Sequence, residues 1–187
     1  MKRYRNATDI EIIAAVTSGD TSAFSEIVRR YEPVVARTVI GMLGIGAEAE
    51  DAGQAAMIKI YRSLGRYRAD ASFKSYVTRI AMNAALDAIR QRQRAERRMA
   101  PRPSDETEDP LERIEDVRSH TADHERNQLI EHALAQLTPE FRSVAVLRLL
   151  LGCSADEVAR LLKISEGTVY SRLSRARRQM MATLGTE

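Results

Sequence analysis

SADEVARLLKISEGTVYSRLSRARR, residues 154–178, is the stretch whose spacing decides the fold. Ser154 followed three residues later by Glu157 is a candidate capping box, and Val158, Leu161 and Leu162 then face one side of a short helix. After a brief gap Ser165 can cap a second helix, in which Val169, Leu173, Ala176 and Met180 form one apolar stripe. The opposite face collects Thr168, Ser171, Arg172, Arg175 and Gln179. A short helix, a tight turn and a helix with one apolar stripe and one Arg/Ser/Thr face is the helix-turn-helix pattern, whose second helix enters the major groove. Arginine suits that place because its planar fork donates two hydrogen bonds to guanine O6 and N7, while neighbouring arginines and hydroxyls grip phosphate. On this pattern alone, an ordinary solvated basic helix is the alternative.

Upstream, Thr138-Pro139-Glu140 offers an N-cap with proline in the first turn, and the helix that follows carries Val144, Leu147 and Leu151 before Gly152. A further helix is expected from about residue 123 to 136. Residues 100–122 hold Pro101, Pro103 and Pro110 among Ser104, Asp105, Glu106, Thr107, Glu108 and Asp109, and read as an acidic linker. The N-terminal half is again helical by period. Thr8 and Glu11 can form a capping box for a helix with Ile10, Ile13 and Val16 that stops at Gly19. Phe24, Ile27, Val28 and Tyr31 mark a second helix that Pro33 should kink or restart, and Gly41, Gly44 and Gly46 should break it. A third helix runs from about 47 to 64, and a fourth from Ser72, with Phe73, Tyr76, Val77, Ile80 and Ala84 on one face. The expectation is all-α: two small helical domains, residues 1–99 and 123–187, joined by a flexible linker over 100–122.

The 187 residues are 44% hydrophobic and 29% charged, enough to bury a core. No window approaches eighteen apolar residues, and the basic start runs into Asp9 and Glu11, so neither membrane insertion nor a secretory signal is expected. One cysteine, Cys153, excludes an internal disulfide and a multi-cysteine zinc site, and fits a cytoplasmic protein. The net charge of +3 conceals segregation: residues 1–99 carry 17 Lys/Arg against 11 Asp/Glu, and residues 100–127 carry 4 against 9. Arg90, Arg92, Arg94, Arg97 and Arg98 form one basic cluster, and Arg172, Arg175, Arg177 and Arg178 another. His120 and His124 lie four apart without a third ligand, Cys153 has no neighbouring base, and Met180-Met181 reads as core edge. No catalytic, metal or cofactor constellation is expected.

The residues also carry a resemblance. Leu137-Thr138-Pro139-Glu140 through Arg142, Leu147-Arg148, Gly152, Ser154, Glu157-Val158-Ala159, Gly167-Thr168-Val169, Ser171-Arg172-Leu173 and Arg175-Ala176-Arg177 resemble region four of bacterial RNA polymerase sigma factors. Gly19-Asp20, Ala23-Phe24, Arg30-Tyr31, Ala49-Glu50-Asp51, Gln54, Tyr61-Arg62, Ser72-Phe73-Lys74, Arg79-Ile80-Ala81 and Asn83 are similar to region two. Two regions with a linker between them resemble the extracytoplasmic-function (ECF) group.

That resemblance implies a promoter-specificity subunit of RNA polymerase that does no bond chemistry and needs no cofactor. Its partners would be core RNA polymerase, promoter DNA and an anti-sigma factor. By the same resemblance Asn83 would help capture an unstacked minus-ten base, with Arg79, Arg90 and Arg92 on the DNA backbone. Thr168, Ser171, Arg172 and Arg175 would meet the minus-35 duplex, and Asp51, Gln54, Ile58 and Tyr61 the polymerase clamp. The acidic linker would occupy a basic channel of the polymerase. The sequence departs from the family pattern at Gly53, Ala55, Met57, Tyr170 and Ser174. A stand-alone helix-turn-helix regulator with an N-terminal sensor or dimerisation bundle is the alternative function.

Overall fold

A computed structural model of the chain describes residues 4–99 and 122–185, with the side chains of 99 and 122–127 left aside. The chain is all-α, with no strand among the described residues. The N-terminal half comprises α1 (Asp9–Thr17), α2 (Phe24–Leu43), α3 (Ala47–Ser63) and α4 (Phe73–Met99). The C-terminal half comprises α5 (Ala122–Ala135), α6 (Pro139–Ala145), α7 (Ala155–Leu162) and α8 (Glu166–Leu184). Most of the acidic stretch and His120 lie outside the described residues, as does the side chain of His124.

The helix starts follow local chemistry. Thr8 and Glu11 form a reciprocal capping box on α1, Ser154 and Glu157 form another on α7, and Ser165 accepts from the Thr168 N–H at the start of α8. Thr138 precedes Pro139 at the first position of α6, although its side chain makes no capping bond.

Two helix breaks expected from the sequence are absent. α2 runs uninterrupted through Pro33, because buried Ile27 on one side and Val35, Val39 and Met42 on the other offset the single backbone bond that proline forfeits. It also runs through Gly41 and ends at Gly44, whose φ of +85° favours glycine. The single helix expected to carry Val144, Leu147 and Leu151 divides instead. After α6 the backbone widens into one π turn, Val146–Leu150, with the Leu151 N–H reaching the Val146 carbonyl at 3.1 Å.

The core of the N-terminal half is aliphatic: Ile12, Ile27, Met42, Ile60, Leu64, Val77 and Met82 are almost fully buried. Phe73 is buried as well, with the ring of Tyr31 edge-on at 5.0 Å and that of Tyr67 at 5.2 Å. Tyr31 Oη donates to Asp9, and burial followed by this bond raises the phenol's pKa. In the C-terminal half, Val144, Leu147 and Val158 pack with Val169, Leu173 and Ala176 of α8. The buried side chains of the two halves form one continuous cluster, with α2 of the first half against α5, α6 and the π turn of the second.

Charge pins the front of the bundle. Glu26, 6% exposed, accepts from Arg29 Nη2 at 2.6 Å and Arg30 Nε at 2.8 Å. The Arg29 bond, then the Arg30 bond, lower its pKa to about 2. An unfolded glutamate titrates near 4.3, so this carboxylate contributes stability that is fully present above that value and is lost as pH falls towards 2. The thermal midpoint is therefore expected to drop through that window. Glu26→Gln should flatten the slope there, and an unchanged slope would show that other carboxylates carry it.

Candidate nucleic-acid and partner interfaces

The helix-turn-helix is built by its turn. Lys163 closes α7 in the left-handed conformation (φ +56°, ψ +47°), which reverses the chain within a few residues and lets Ser165 start α8. Burial of Val169, Leu173 and Ala176 fixes the roll of α8, so Ser171 and Arg175 stand exposed, with Thr168 and Arg172 half-buried beside them. Two hydroxyls of this set already have helix partners. Thr168 Oγ1 lies 2.8 Å from Ser165 Oγ, and Ser171 Oγ donates to the Thr168 carbonyl at 3.1 Å. Tyr170 is 57% exposed, but at 100° per residue it lies roughly 160° around the helix from Arg172 and off this face.

α4 carries the second candidate surface. Arg79, Asn83 and Arg90 recur at helical spacing on one exposed stripe, with Asp87 between them holding Arg90 at 2.6 Å. Arg92 does not belong with them. At 100° per residue it lies roughly 140° around the helix from Arg79, where it donates to Glu48 of α3 at 2.8 Å.

The stripe begins at a cleft of about 460 Å³ around the α3–α4 loop. Arg66, Arg68 and Arg79 line it with Tyr67 and Tyr76, and the Arg79 guanidinium lies over the Tyr76 ring at 5.6 Å. Tyr76 Oη is tied to Ser63 Oγ at 2.6 Å, which fixes its ring. Arg66 and Arg68 are outside the sequence expectation, and the alternation Arg66-Tyr67-Arg68 is the one signal for them. Asn83 is not among the residues lining the cleft.

The third surface is the outer face of α3. Asp51, Gln54, Ile58 and Tyr61 are all exposed along one side, Ile58 at 51% and Tyr61 at 41%. The Tyr61 ring stands edge-on to Phe24 at 4.9 Å. Next to them Gly53 leaves an apolar groove of about 420 Å³, floored by Val35 and Val39 of α2 and bordered by Glu50, Gln54 and Met57.

Cys153 is half-buried, and burial pushes its thiol pKa up. Met180 packs on the core and Met181 is exposed. Among the described residues, no group of three or more His, Cys, Asp or Glu side chains is placed to hold a metal ion, and no helix is long and apolar enough to cross a membrane.

Comparison with known proteins matches both halves. The family model Sigma-70 region 2 matches residues 27–95, and Sigma-70, region 4 matches residues 127–180. The ECF RNA polymerase sigma factor SigM of Mycobacterium tuberculosis (strain H37Rv) is 34% identical over 178 residues, covering 95% of this chain and 85% of that protein. The ECF RNA polymerase sigma-E factor of Escherichia coli K12 is 31% identical over 179 residues, covering 91% of each. Among solved structures, the sigma factor RpoE from Bartonella quintana, in complex with the anti-sigma factor NepR, has the same fold: the TM-score is 0.68 over 88% of this chain and 98% of that one, at 20% identity.

The chain therefore belongs to the ECF RNA polymerase sigma factors, and it binds core RNA polymerase and directs promoter recognition and transcription initiation. A stand-alone helix-turn-helix regulator does not account for the N-terminal half's own match to region 2.

Proposed function

We propose that residues 1–99 and 123–187 act as two binding units joined by 100–122, and that the three surfaces divide the work of initiation. The outer face of α3, with Asp51, Gln54, Ile58 and Tyr61, meets the polymerase clamp. The α8 face, with Arg172 and Arg175 flanked by Thr168 and Ser171, meets the minus-35 duplex. The α4 stripe, with Arg79, Asn83 and Arg90, holds the minus-ten segment as it melts. Arg92 supports that stripe indirectly through Glu48 of α3. The protein works in the cytoplasm, performs no bond chemistry, and is restrained by an anti-sigma factor that covers polymerase-binding surfaces. Its binding and that of core polymerase exclude each other.

The observation that carries this reading is the α4 stripe running into a cleft lined by arginines and tyrosines. Cationic side chains follow a phosphate backbone, and half-buried Tyr67 and Tyr76 leave part of their rings to the cleft, where a base stacked on an aromatic side chain is worth about 1–3 kcal/mol. Asn83 offers both amide donors and a carbonyl acceptor to a base edge. Opening a promoter costs unstacking of a few kcal/mol, so Asn83→Ala should slow strand opening in runoff transcription with core polymerase. The defect should shrink on a template whose minus-ten segment is mismatched beforehand. Equal loss on duplex and mismatched templates, with a fall in thermal midpoint, would assign Asn83 to helix integrity instead.

A further inference from the structure

Gly53 stands in the interior of α3, where glycine is among the poorest helix formers. The fold gives no reason for it. A Cβ at this position would lie 3.7 Å from Val39 Cγ2 and 3.9 Å from Val35 Cγ1, which is ordinary van der Waals contact. Gly41 of α2 is the opposite case: a Cβ there would come within 2.9 Å of Val146 Cγ2, so packing inside the chain itself excludes a side chain. What the missing side chain of Gly53 leaves is the apolar groove of about 420 Å³ between α2 and α3.

Two observations say what fits this groove. It is continuous with the outer face of α3, because Gln54 borders both and Met57, in its wall, is followed by half-exposed Ile58. Ile45, 70% exposed in the turn between α2 and α3, adds a further apolar side chain to the lining. An exposed apolar strip rimmed by polar groups marks a protein contact. The rim, moreover, is acidic on both helices. Glu32 of α2 and Glu50 of α3 line the groove, both are exposed, and neither forms an ion pair with a described residue. The complementary surface is an aliphatic or aromatic side chain flanked by lysine or arginine.

We propose that the groove is an anchor site for core RNA polymerase: it takes one apolar side chain of the clamp, with a cation beside it facing Glu32 and Glu50, and Gly53 is the residue that keeps it open. The inference rests on the reading of the α3 outer face as the clamp surface, and adds to that face a pocket between α2 and α3.

The affinity of the full chain for core RNA polymerase, measured together with the melting temperature of each variant, tests it. A glycine that serves folding and a glycine that serves binding give opposite signs. Gly53→Ala should melt about 2–4 °C higher, the shift expected of a better helix former in a chain of this size, yet bind core polymerase about threefold more weakly. Gly53→Leu fills the groove from within and should bind about tenfold more weakly, as when a buried anchor is lost. Exchanging Glu32 and Glu50 for glutamine should weaken binding at low salt and flatten its decline as salt rises, because two screened attractions are gone. A Gly53→Ala chain that melts below the parent would give the glycine a folding role and overturn the proposal. Undiminished affinity in either groove-filled variant overturns it as well, and so does an unchanged salt dependence in the double glutamine variant. Ile58→Ala separates these failures from that of the underlying reading. If it loses affinity while Gly53→Leu keeps it, the clamp meets α3 outside the groove; if both keep it, the clamp surface lies elsewhere.

Discussion

Ile60→Ala is expected to destabilise the N-terminal half by about 2–5 kcal/mol, the range for deleting a fully buried aliphatic side chain and leaving a cavity. Ile60 is wholly buried, whereas Ile58, two positions away on α3, is half exposed. The pair therefore separates packing from recognition on a single helix. Ile58→Ala should leave the melting temperature within about a degree or two, since exposed substitutions usually change stability by less than 0.5 kcal/mol, but should weaken co-elution with core polymerase. Ile60→Ala should lower the melting temperature sharply. Its loss of polymerase binding should be recovered on cooling. If Ile58→Ala binds core polymerase as the parent does, the outer face of α3 is not the clamp surface.

Arg175→Ala is the second large expected effect, about 1–3 kcal/mol or roughly 5- to 150-fold in affinity for a cognate minus-35 duplex. Arg175 is exposed on α8 next to buried Leu173 and Ala176, so its stem is placed by packing while its guanidinium is presented outward. A base-reading arginine and a phosphate-gripping one leave different traces. Loss of the first narrows the gap between cognate and altered sequences. Loss of the second weakens all sequences alike and lowers the salt slope by about one. The expected result for Arg175 is the first trace, and Arg177→Ala supplies the comparison for the second. A uniform loss for Arg175→Ala would move it to the phosphate group.

What the sequence made legible was whatever is settled within a few residues. Capping boxes at Thr8 and Ser154, the Ser165 cap and the stripe Val169, Leu173, Ala176 are local, so period and cap chemistry sufficed to place α1, α7 and α8. What the sequence leaves out has an opposite origin. Gly41 looked like a helix breaker because propensity is local, whereas the contact that explains it comes from Val146. The direction in which Arg92 leaves α4 is equally non-local, because its partner Glu48 lies on another helix. The π turn leaves no periodic signal, since it is a one-turn adjustment that buries Val146 and Leu147 together. Arg66 and Arg68 leave no periodic signal because they sit where α3 gives way to the α3–α4 loop.

The Arg30 hub carries a consequence for where the N-terminal half begins as a physical object. Its guanidinium holds Glu26 and Asp9 and donates through Nη2 to the carbonyls of Tyr4, Arg5 and Ala7, while Tyr4 Oη donates to Asp20 at 2.7 Å. Likeness to the family model starts at residue 27, yet Ile12, Ile13 and Val16 of α1 are already part of the buried core. A fragment cut where the likeness starts would bare that core and strip Arg30 of every one of these acceptors. The smallest unit able to fold is therefore expected to reach upstream of the residues that the family model matches, into a segment held by Arg30 through the carbonyls of Tyr4, Arg5 and Ala7.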